Sequence, residues 1–264
     1  MNVQKKIFVW QTDQRMQAAA RYLAGQDWLV TGQALAGECG IWLLPMPLSA
    51  ERPGLVQLLL QAAPGTLVLA GRIDPAVYAL PGADKLTLLD LYQNPALVEK
   101  NAIPTAEGCI QLLLCHSART LWQEPVLLLG FGRVGQALGV RLAALGAFVT
   151  VAARSPVQRA KAESLGCRAD SPDRLDHPMP WRVVVNTIPS RVLEQARLRN
   201  LPQGSLLIDL ASKPGGIDFQ AARKMGHTAL HALALPGKCA PETAGRFYAE
   251  TALEGMEERS TVCI

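Results

Sequence analysis

The chain has 264 residues, enough for one large domain or two smaller ones, each with its own core. Hydrophobic residues make up 49% and charged residues 18%, a balance that excludes a disordered chain. The net charge of +4 comes without a dense Lys/Arg stripe or interleaved aromatics, which argues against a nucleic-acid surface and leaves room for small anions.

In chain order, MNVQKKIFVWQTDQR has too short an apolar run for a secretory leader. The runs at 6–11 (KIFVWQ), 28–32 (WLVTG), 40–45 (GIWLLP), 66–71 (TLVLAG) and 85–92 (KLTLLDLY) predict strands. Helices are predicted at 15–26, ending near Gly25, and at 53–65, with Pro near the start and Gly past the end. Residues 94–121 then predict a helix from about Pro104 to Ser117, opened by NAIPTAEG. Thr105 and Glu107 fall in its first turn, where they serve either a ligand or simple capping.

From Pro125 the rhythm restarts. Strands are predicted at 126–130, 147–154, 167–169, 182–188, 204–211 and 228–235, with helices at 132–146 and 155–166. PETAGRFYAETALEGMEERS predicts one amphipathic helix starting after Pro241. Strands alternating with helices indicate α/β architecture: two doubly wound parallel-sheet, Rossmann-like domains with a cleft. The expected division is a flavodoxin- or Rossmann-like domain over 1–100, completed by a C-terminal helix over 241–264, and a dinucleotide-binding domain over 101–240. Asn101 and Pro236-Gly237 are the expected hinges.

Gly130, Gly132 and Gly135 form G-x-G-x-x-G after an apolar strand and at the start of a helix. The first glycine permits the tight turn, the second lets backbone approach a pyrophosphate, and the third allows close helix–strand packing. Arg133 and Val134 complete the backbone that faces the phosphates at the helix N-terminus. The acid that would hold a ribose 2′-hydroxyl belongs near Ala153, and none is there. Arg154, Ser155 and Arg159 stand nearby instead, a set suited to a 2′-phosphate, so NADP is favoured over NAD. A plainer reading makes Arg154 a solvated strand-end cation. Thr187 and Pro189, at the end of the strand VNTIP, are placed beside the nicotinamide ribose, or form an ordinary strand exit.

In LIDLASKPGGIDF (207–219), Asp209 is an acid inside an apolar strand, costly unless partnered. Ser212 and Lys213 follow it into the same crevice, and Lys213 is the best-placed cation for a substrate carboxylate, unless it is a surface loop lysine. LPGKCAPETAG (235–245) runs from a Pro-Gly turn into a helix N-terminus. None of the four histidines has metal-ligand spacing, and His116 is expected to be a packed helix residue. The six cysteines form no C-x-x-C and read as reduced; Cys263 is penultimate and is not a prenylation site. No segment reaches the roughly 20 apolar residues of a membrane span.

Together, NAIPTAEG, LGFGRVG, ARSP, NTIPS, IDLASKPGGIDF and LPGKCAPETAG resemble the A-subunit family of dipicolinate synthases, in order and spacing from about Asn101 to Gly245. TDQRMQAAARYLA and LLPMP resemble its N-terminal domain more loosely. The resemblance implies the two-domain arrangement of 2-hydroxyacid dehydrogenases and a cytoplasmic, mother-cell enzyme of sporulation that uses NADP. The implied reaction oxidises dihydrodipicolinate, or its hydrated precursor, to dipicolinate, and family members work with a flavoprotein-like dipicolinate synthase B-subunit. Lys213, Ser212 and Thr105 would then meet the small dicarboxylate substrate. The family often has Arg where this chain has Lys213, which keeps the charge without the bidentate fork. Two alternatives stand beside this: a 2-hydroxyacid dehydrogenase-like oxidoreductase, and a non-catalytic NADP-binding partner subunit. A homo-oligomer is compatible with the sequence, which specifies no oligomeric state.

Overall fold

The computed structural model describes residues 5–262. Cys263 and the end of the expected 241–264 helix lie outside the described residues. The chain forms two compact units, Met1–Asn101 with Pro236–Ile264, and Ala102–Leu235.

In the first unit five parallel strands, β1 (Lys6–Val9), β2 (Leu29–Thr31), β3 (Ile41–Leu43), β4 (Leu67–Ala70) and β5 (Thr87–Asp90), lie in the order β2-β1-β3-β4-β5. This is a flavodoxin-like order, with its switch point between β1 and β3. The central strands β1, β3 and β4 are largely apolar because both of their faces are covered. Phe8, Trp42 and Val68 point to one side, against Leu55, Leu58 and Leu59 of helix α2 (Leu55–Gln61). Ile7, Val9, Leu43 and Leu69 point to the other, against Met16 and Leu23 of helix α1 (Gln14–Ala24). Asp13 caps α1 by accepting from the Met16 N–H at 2.9 Å. The closing helix, Pro241–Val262, adds Tyr248, Ala249 and Ala252 to that second core. Gly245 permits its approach to α1: a Cβ there would lie 2.5 Å from the Arg15 carbonyl oxygen.

Helix α3 runs Pro95–His116, beginning nine residues before the expected Pro104 start. Asn94 explains the difference. Its Oδ1 accepts from Ala96 N at 2.8 Å and Leu97 N at 3.3 Å, and Pro95 follows as the first helical residue. Pro104 is carried inside the helix, where its missing N–H normally disfavours it. Asn101 is therefore helical rather than a loop hinge. His116 is exposed rather than packed, with Nδ1 on Leu112 O at 2.9 Å. The expected Pro236-Gly237 turn is a short helix, Leu235–Cys239, and the closing helix starts at Pro241 itself.

The second unit holds β6 (Pro125–Leu129), β7 (Phe148–Ala152), β8 (Arg168–Asp170), β9 (Val183–Asn186), β10 (Leu206–Asp209) and β11 (Thr228–His231). All are parallel, in the order β11-β10-β9-β6-β7-β8. Counted within the unit this is 3-2-1-4-5-6 read from β8, the dinucleotide-fold order, with the direction of travel reversing between β6 and β9. The helices are α4 (Arg133–Ala144), α5 (Pro156–Ser164), α6 (Gln195–Leu198) and α7 (Phe219–Lys224). Register aligns Leu129, Asn186, Asp209 and His231 along one edge. Ligands of such sheets bind outside that carboxyl edge.

Candidate functional site

A cavity of about 650 Å³ opens at the switch point of the second unit. Its floor is the glycine turn between β6 and α4, where each glycine has a separate reason. Gly130 has φ +86°, and a Cβ there would lie 2.7 Å from Thr187 Oγ1. A Cβ on Gly135 would lie 2.5 Å from the Gly130 carbonyl oxygen. A Cβ on Gly132 would meet nothing within 4 Å. Gly130 and Gly135 are thus required by the protein's own packing, while Gly132 leaves open space in front of the α4 N-terminus. That space is what a pyrophosphate needs.

Gly130, Gly132, Arg154, Ser155, Thr187 and Pro189 all line this cavity. Thr187 is fixed there by donating its hydroxyl to Leu129 O at 2.8 Å. Gly135 is buried behind the turn, Val134 is half-buried, and Arg133 is exposed in the first turn of α4; these three are not lining residues. Phe131, Gln158 and Ile188 complete the lining, and sequence reasoning missed them. Gln158 was hidden because the α5 face that turns inward depends on the Ser155 cap, whose Oγ accepts from Gln158 N at 3.4 Å.

The cationic end of the cavity lies at the turn between β7 and α5, where Arg154 stands. Arg159 does not line it. Its Nη1 donates to Ala153 O and Arg154 O, both at 2.8 Å, and so fixes the backbone that presents the exposed Arg154. Among the described residues, no Asp or Glu lines the cavity. The donor set fits the phosphates of a dinucleotide: an open glycine at a helix N-terminus, a guanidinium, and a hydroxyl.

Beside the cavity, β9 and β10 end in two fully buried polar side chains, Asn186 and Asp209. Asp209 Oδ1 accepts from Asn186 Nδ2 at 2.8 Å and Ala211 N at 3.0 Å. Its Oδ2 accepts from Gly216 N at 2.7 Å and Ile217 N at 3.2 Å. The partners that sequence reasoning required for Asp209 are therefore one amide and three backbone N–H groups, and they tie the 210–217 loop to the sheet. Asn186 also bonds the backbone of Ile188 in both directions, donating to its oxygen at 2.9 Å and accepting from its nitrogen at 3.1 Å. It thereby shapes the Thr187–Pro189 wall. Asn186 was not singled out in the sequence, although an amide in an apolar strand is itself a signal.

Ser212 and Lys213 sit in the tied loop, Ser212 half-buried and Lys213 exposed. The Ser212 carbonyl accepts from Gly215 N at 2.9 Å. Neither lines the cavity. Thr105 is half-buried in the interior of α3, so first-turn capping does not account for it. His231 bonds Ala211 O through Nε2 at 2.8 Å and stacks on Phe219, while buried His227 Nδ1 accepts from Ser205 N at 3.3 Å. Neither imidazole is bonded to a carboxylate among the described residues. Nor do they contain a cluster of three His, Cys, Asp or Glu able to hold a metal ion. Burial pushes the Cys109 and Cys167 thiols up, away from reactivity. No described helix is long and apolar enough to cross a membrane.

No protein-family model matches the sequence. The A-subunit of dipicolinate synthase from Bacillus subtilis (strain 168) is 36% identical over 256 residues, covering 88% of this chain and 86% of that protein. The crystal structure of the A-subunit of dipicolinate synthase from Bacillus halodurans superposes with a TM-score of 0.86 at 28% identity, covering 96% of this chain and 98% of that one. D-lactate dehydrogenase from Escherichia coli, at TM-score 0.62 and 11% identity over 97% of this chain and 96% of its own, shares the fold alone. With that identity across most of both sequences, and the same fold in a solved relative, the chain belongs to the A-subunit family of dipicolinate synthases.

Proposed function

We propose that this chain is an NADP-dependent oxidoreductase that forms dipicolinate from dihydrodipicolinate or its hydrated precursor. Family membership supplies the reaction class, since the relative at 36% identity is one subunit of a dipicolinate synthase. The observation that carries the cofactor choice is the cavity at the glycine turn, lined by Arg154 and Ser155 and by no carboxylate. An acid there would grip a ribose 2′-hydroxyl and repel a 2′-phosphate; a guanidinium does the reverse.

Bound NADP would accept the hydride removed as the dihydropyridine ring becomes aromatic. The protein's share is binding and orientation. Gly132 and the α4 N-terminus would hold the pyrophosphate. Arg154 and Ser155 would hold the 2′-phosphate, with Arg159 positioning them through two carbonyls. Thr187 and Pro189 would bound the nicotinamide end. Lys213 would meet a substrate carboxylate, with Ser212 and Thr105 as further polar contacts. The proton lost together with the hydride would pass to solvent, and the hydrated precursor would also release one water. The enzyme would work in the mother-cell cytosol of a sporulating bacterium beside a flavoprotein-like B-subunit. The pairing of His227 and His231 with backbone rather than carboxylates weighs against the 2-hydroxyacid dehydrogenase alternative.

Incubating the purified chain with NADP and enzymatically generated dihydrodipicolinate tests the reading. NADPH and pyridine-2,6-dicarboxylate absorbance should rise together in equal amounts. NADP binding without either product would leave a non-catalytic partner subunit, and turnover of 2-hydroxy acids instead would establish the other alternative.

A further inference from the structure

The first unit contains a buried guanidinium with no ion-pair partner among the described residues. Arg15, in the first turn of α1, is only 7% exposed. Its Nη2 donates to the Met46 carbonyl oxygen, and its guanidinium lies 5.7 Å from the Tyr248 ring centroid. Its Nε is fully buried and has no hydrogen-bond partner among the described residues. No carboxylate pairs with it among the described residues. The acids whose fields reach the neighbouring Tyr248 hydroxyl, Asp13 and Asp90, give their oxygens to backbone N–H groups rather than to the guanidinium: Met16 for Asp13, and Arg72, Ile73 and Tyr92 for Asp90.

Three physical costs meet at this side chain. A guanidinium cannot shed its proton to escape burial. An unpaired charge in the interior is among the most expensive groups a protein can bury. A cation in the first turn of a helix also opposes the helix dipole. All three are relieved by one addition, an anion offering two oxygens to the unbonded N–H groups.

The position is equally specific. α1 follows β1, and Met46 follows β3, so the Arg15–Met46 bond spans the β1/β3 switch point of the 2-1-3-4-5 sheet. Outside the carboxyl edge at a switch point is where open α/β sheets bind ligands.

We propose that Arg15 is the anchor of a carboxylate-binding site in the first unit, and that its ligand is the pyridine dicarboxylate of the reaction. The naming of that ligand rests on the functional reading above; the need for an anion does not. Arg15 is assigned to substrate binding, where the fork of N–H groups fixes both the charge and the plane of a carboxylate.

The test is calorimetric titration of the full chain with pyridine-2,6-dicarboxylate, and separately with NADP, for wild type, Arg15→Met and Arg15→Lys. Arg15→Met should weaken dicarboxylate binding at least tenfold, leave NADP affinity unchanged, and leave the melting temperature equal or higher, because it removes an unpaired buried charge. A purely structural tie to Met46 predicts the opposite pattern: a lower melting temperature with dicarboxylate affinity intact. Arg15→Lys, which keeps the charge and loses the fork, should fold and lose at least threefold; it decides the matter if the methionine variant does not fold. Undiminished dicarboxylate binding in a folded variant overturns the inference alone. A wild-type chain that binds NADP and ignores the dicarboxylate overturns both the inference and the functional reading.

Discussion

Asn186 Nδ2 donates to Asp209 Oδ1 at 2.8 Å, joining the ends of β9 and β10 through two side chains with no exposed surface. The carboxylate has three further partners, all backbone N–H groups of the 210–217 loop. Its negative charge is held by donors rather than by a cation, as in a helix cap turned inward. Asp209 therefore acts on the loop's shape, and through it on Ser212 and Lys213.

Replacing that carboxylate by an amide should expose the arrangement. Asp209→Asn puts an NH2 group against N–H donors on at least one side. Leaving one or two buried donors unsatisfied costs about 2–4 kcal/mol. Urea denaturation should show that loss in the midpoint, with an unchanged slope. A change below about 0.5 kcal/mol, the range of ordinary surface substitutions, would refute the anchoring role.

The glycine turn allows folding and binding to be separated. Gly130→Ala forces a Cβ to within 2.7 Å of Thr187 Oγ1 at φ +86°, so it should lower both the melting temperature and dinucleotide affinity. Gly132→Ala meets no protein atom within 4 Å. It should melt as wild type does and still bind dinucleotide at least tenfold more weakly, because its methyl occupies the phosphate's space. Thermal shift with and without NADP reads both effects. Equal behaviour of the two variants would remove Gly132 from the pyrophosphate site.

The contrast between those glycines shows what is legible in the sequence. Strand positions and the G-x-G-x-x-G turn are readable because apolar runs and glycine spacing are local signals. The α3 start is not, because Pro104 looks like a first-turn proline, and only the Asn94 cap and Pro95, nine residues earlier, reveal the true one. Asp209 is legible as a charge needing partners, but the partners are not, since Gly216 and Ile217 return to it only through the fold of the loop. The spacing of Arg159 suggests a phosphate ligand; that Nη1 turns back onto two carbonyls is a rotamer fact that spacing does not contain.

Cofactor choice should rest on Arg154. Arg154→Asp removes a cation from the cavity rim and installs the acid that a ribose 2′-hydroxyl prefers. NADP binding should weaken by about 1.5–3 kcal/mol, the size of a charge-assisted hydrogen bond, and NAD binding should hold or improve. Titration calorimetry with each cofactor measures the difference. Equal losses for both would assign Arg154 to general phosphate attraction or to stability.

A surface pair gives a pH-dependent contribution whose sign can be worked out. Arg197 Nε and Nη2 donate to Asp176 Oδ1 and Oδ2 at 2.7 and 3.2 Å. Those hydrogen bonds, more than the attraction of opposite charges, hold the Asp176 carboxyl below its usual range. A depressed folded-state pKa contributes stability that is full above the unfolded carboxylate value, about 4, and is lost as pH falls through the folded value. Asp176→Asn should therefore be slightly less stable than wild type at neutral pH, and the gap should close on acidification below about pH 4. Being exposed, the pair should also weaken with added salt. Melting curves across roughly pH 2.5–7 with two salt concentrations, on the order of 0.02 and 0.5 M, test both; a gap that widens at low pH would contradict the assignment.

We propose Lys213 as a second cation for the substrate, one that cofactor binding does not need. It is exposed, it follows the buried end of β10, and its loop is fixed from beneath by Asp209. It does not line the dinucleotide cavity, so its loss should leave NADP affinity nearly constant. A dicarboxylate brings two negative charges that must be met when water is excluded, and charge-assisted hydrogen bonds are the strong ones. Lys213→Ala should lower kcat/KM by about ten- to a hundredfold, equivalent to roughly 1.4–2.7 kcal/mol. Lys213→Arg should keep much of the activity, because it retains the charge and adds a fork. A solvated loop lysine predicts something different: no kinetic change in either variant. Comparing Lys213→Ala with Asp209→Asn sharpens the test, since displacing the loop should lower activity together with stability, while removing the lysine should lower activity alone. A wild-type kcat/KM in the alanine variant returns Lys213 to the solvated surface.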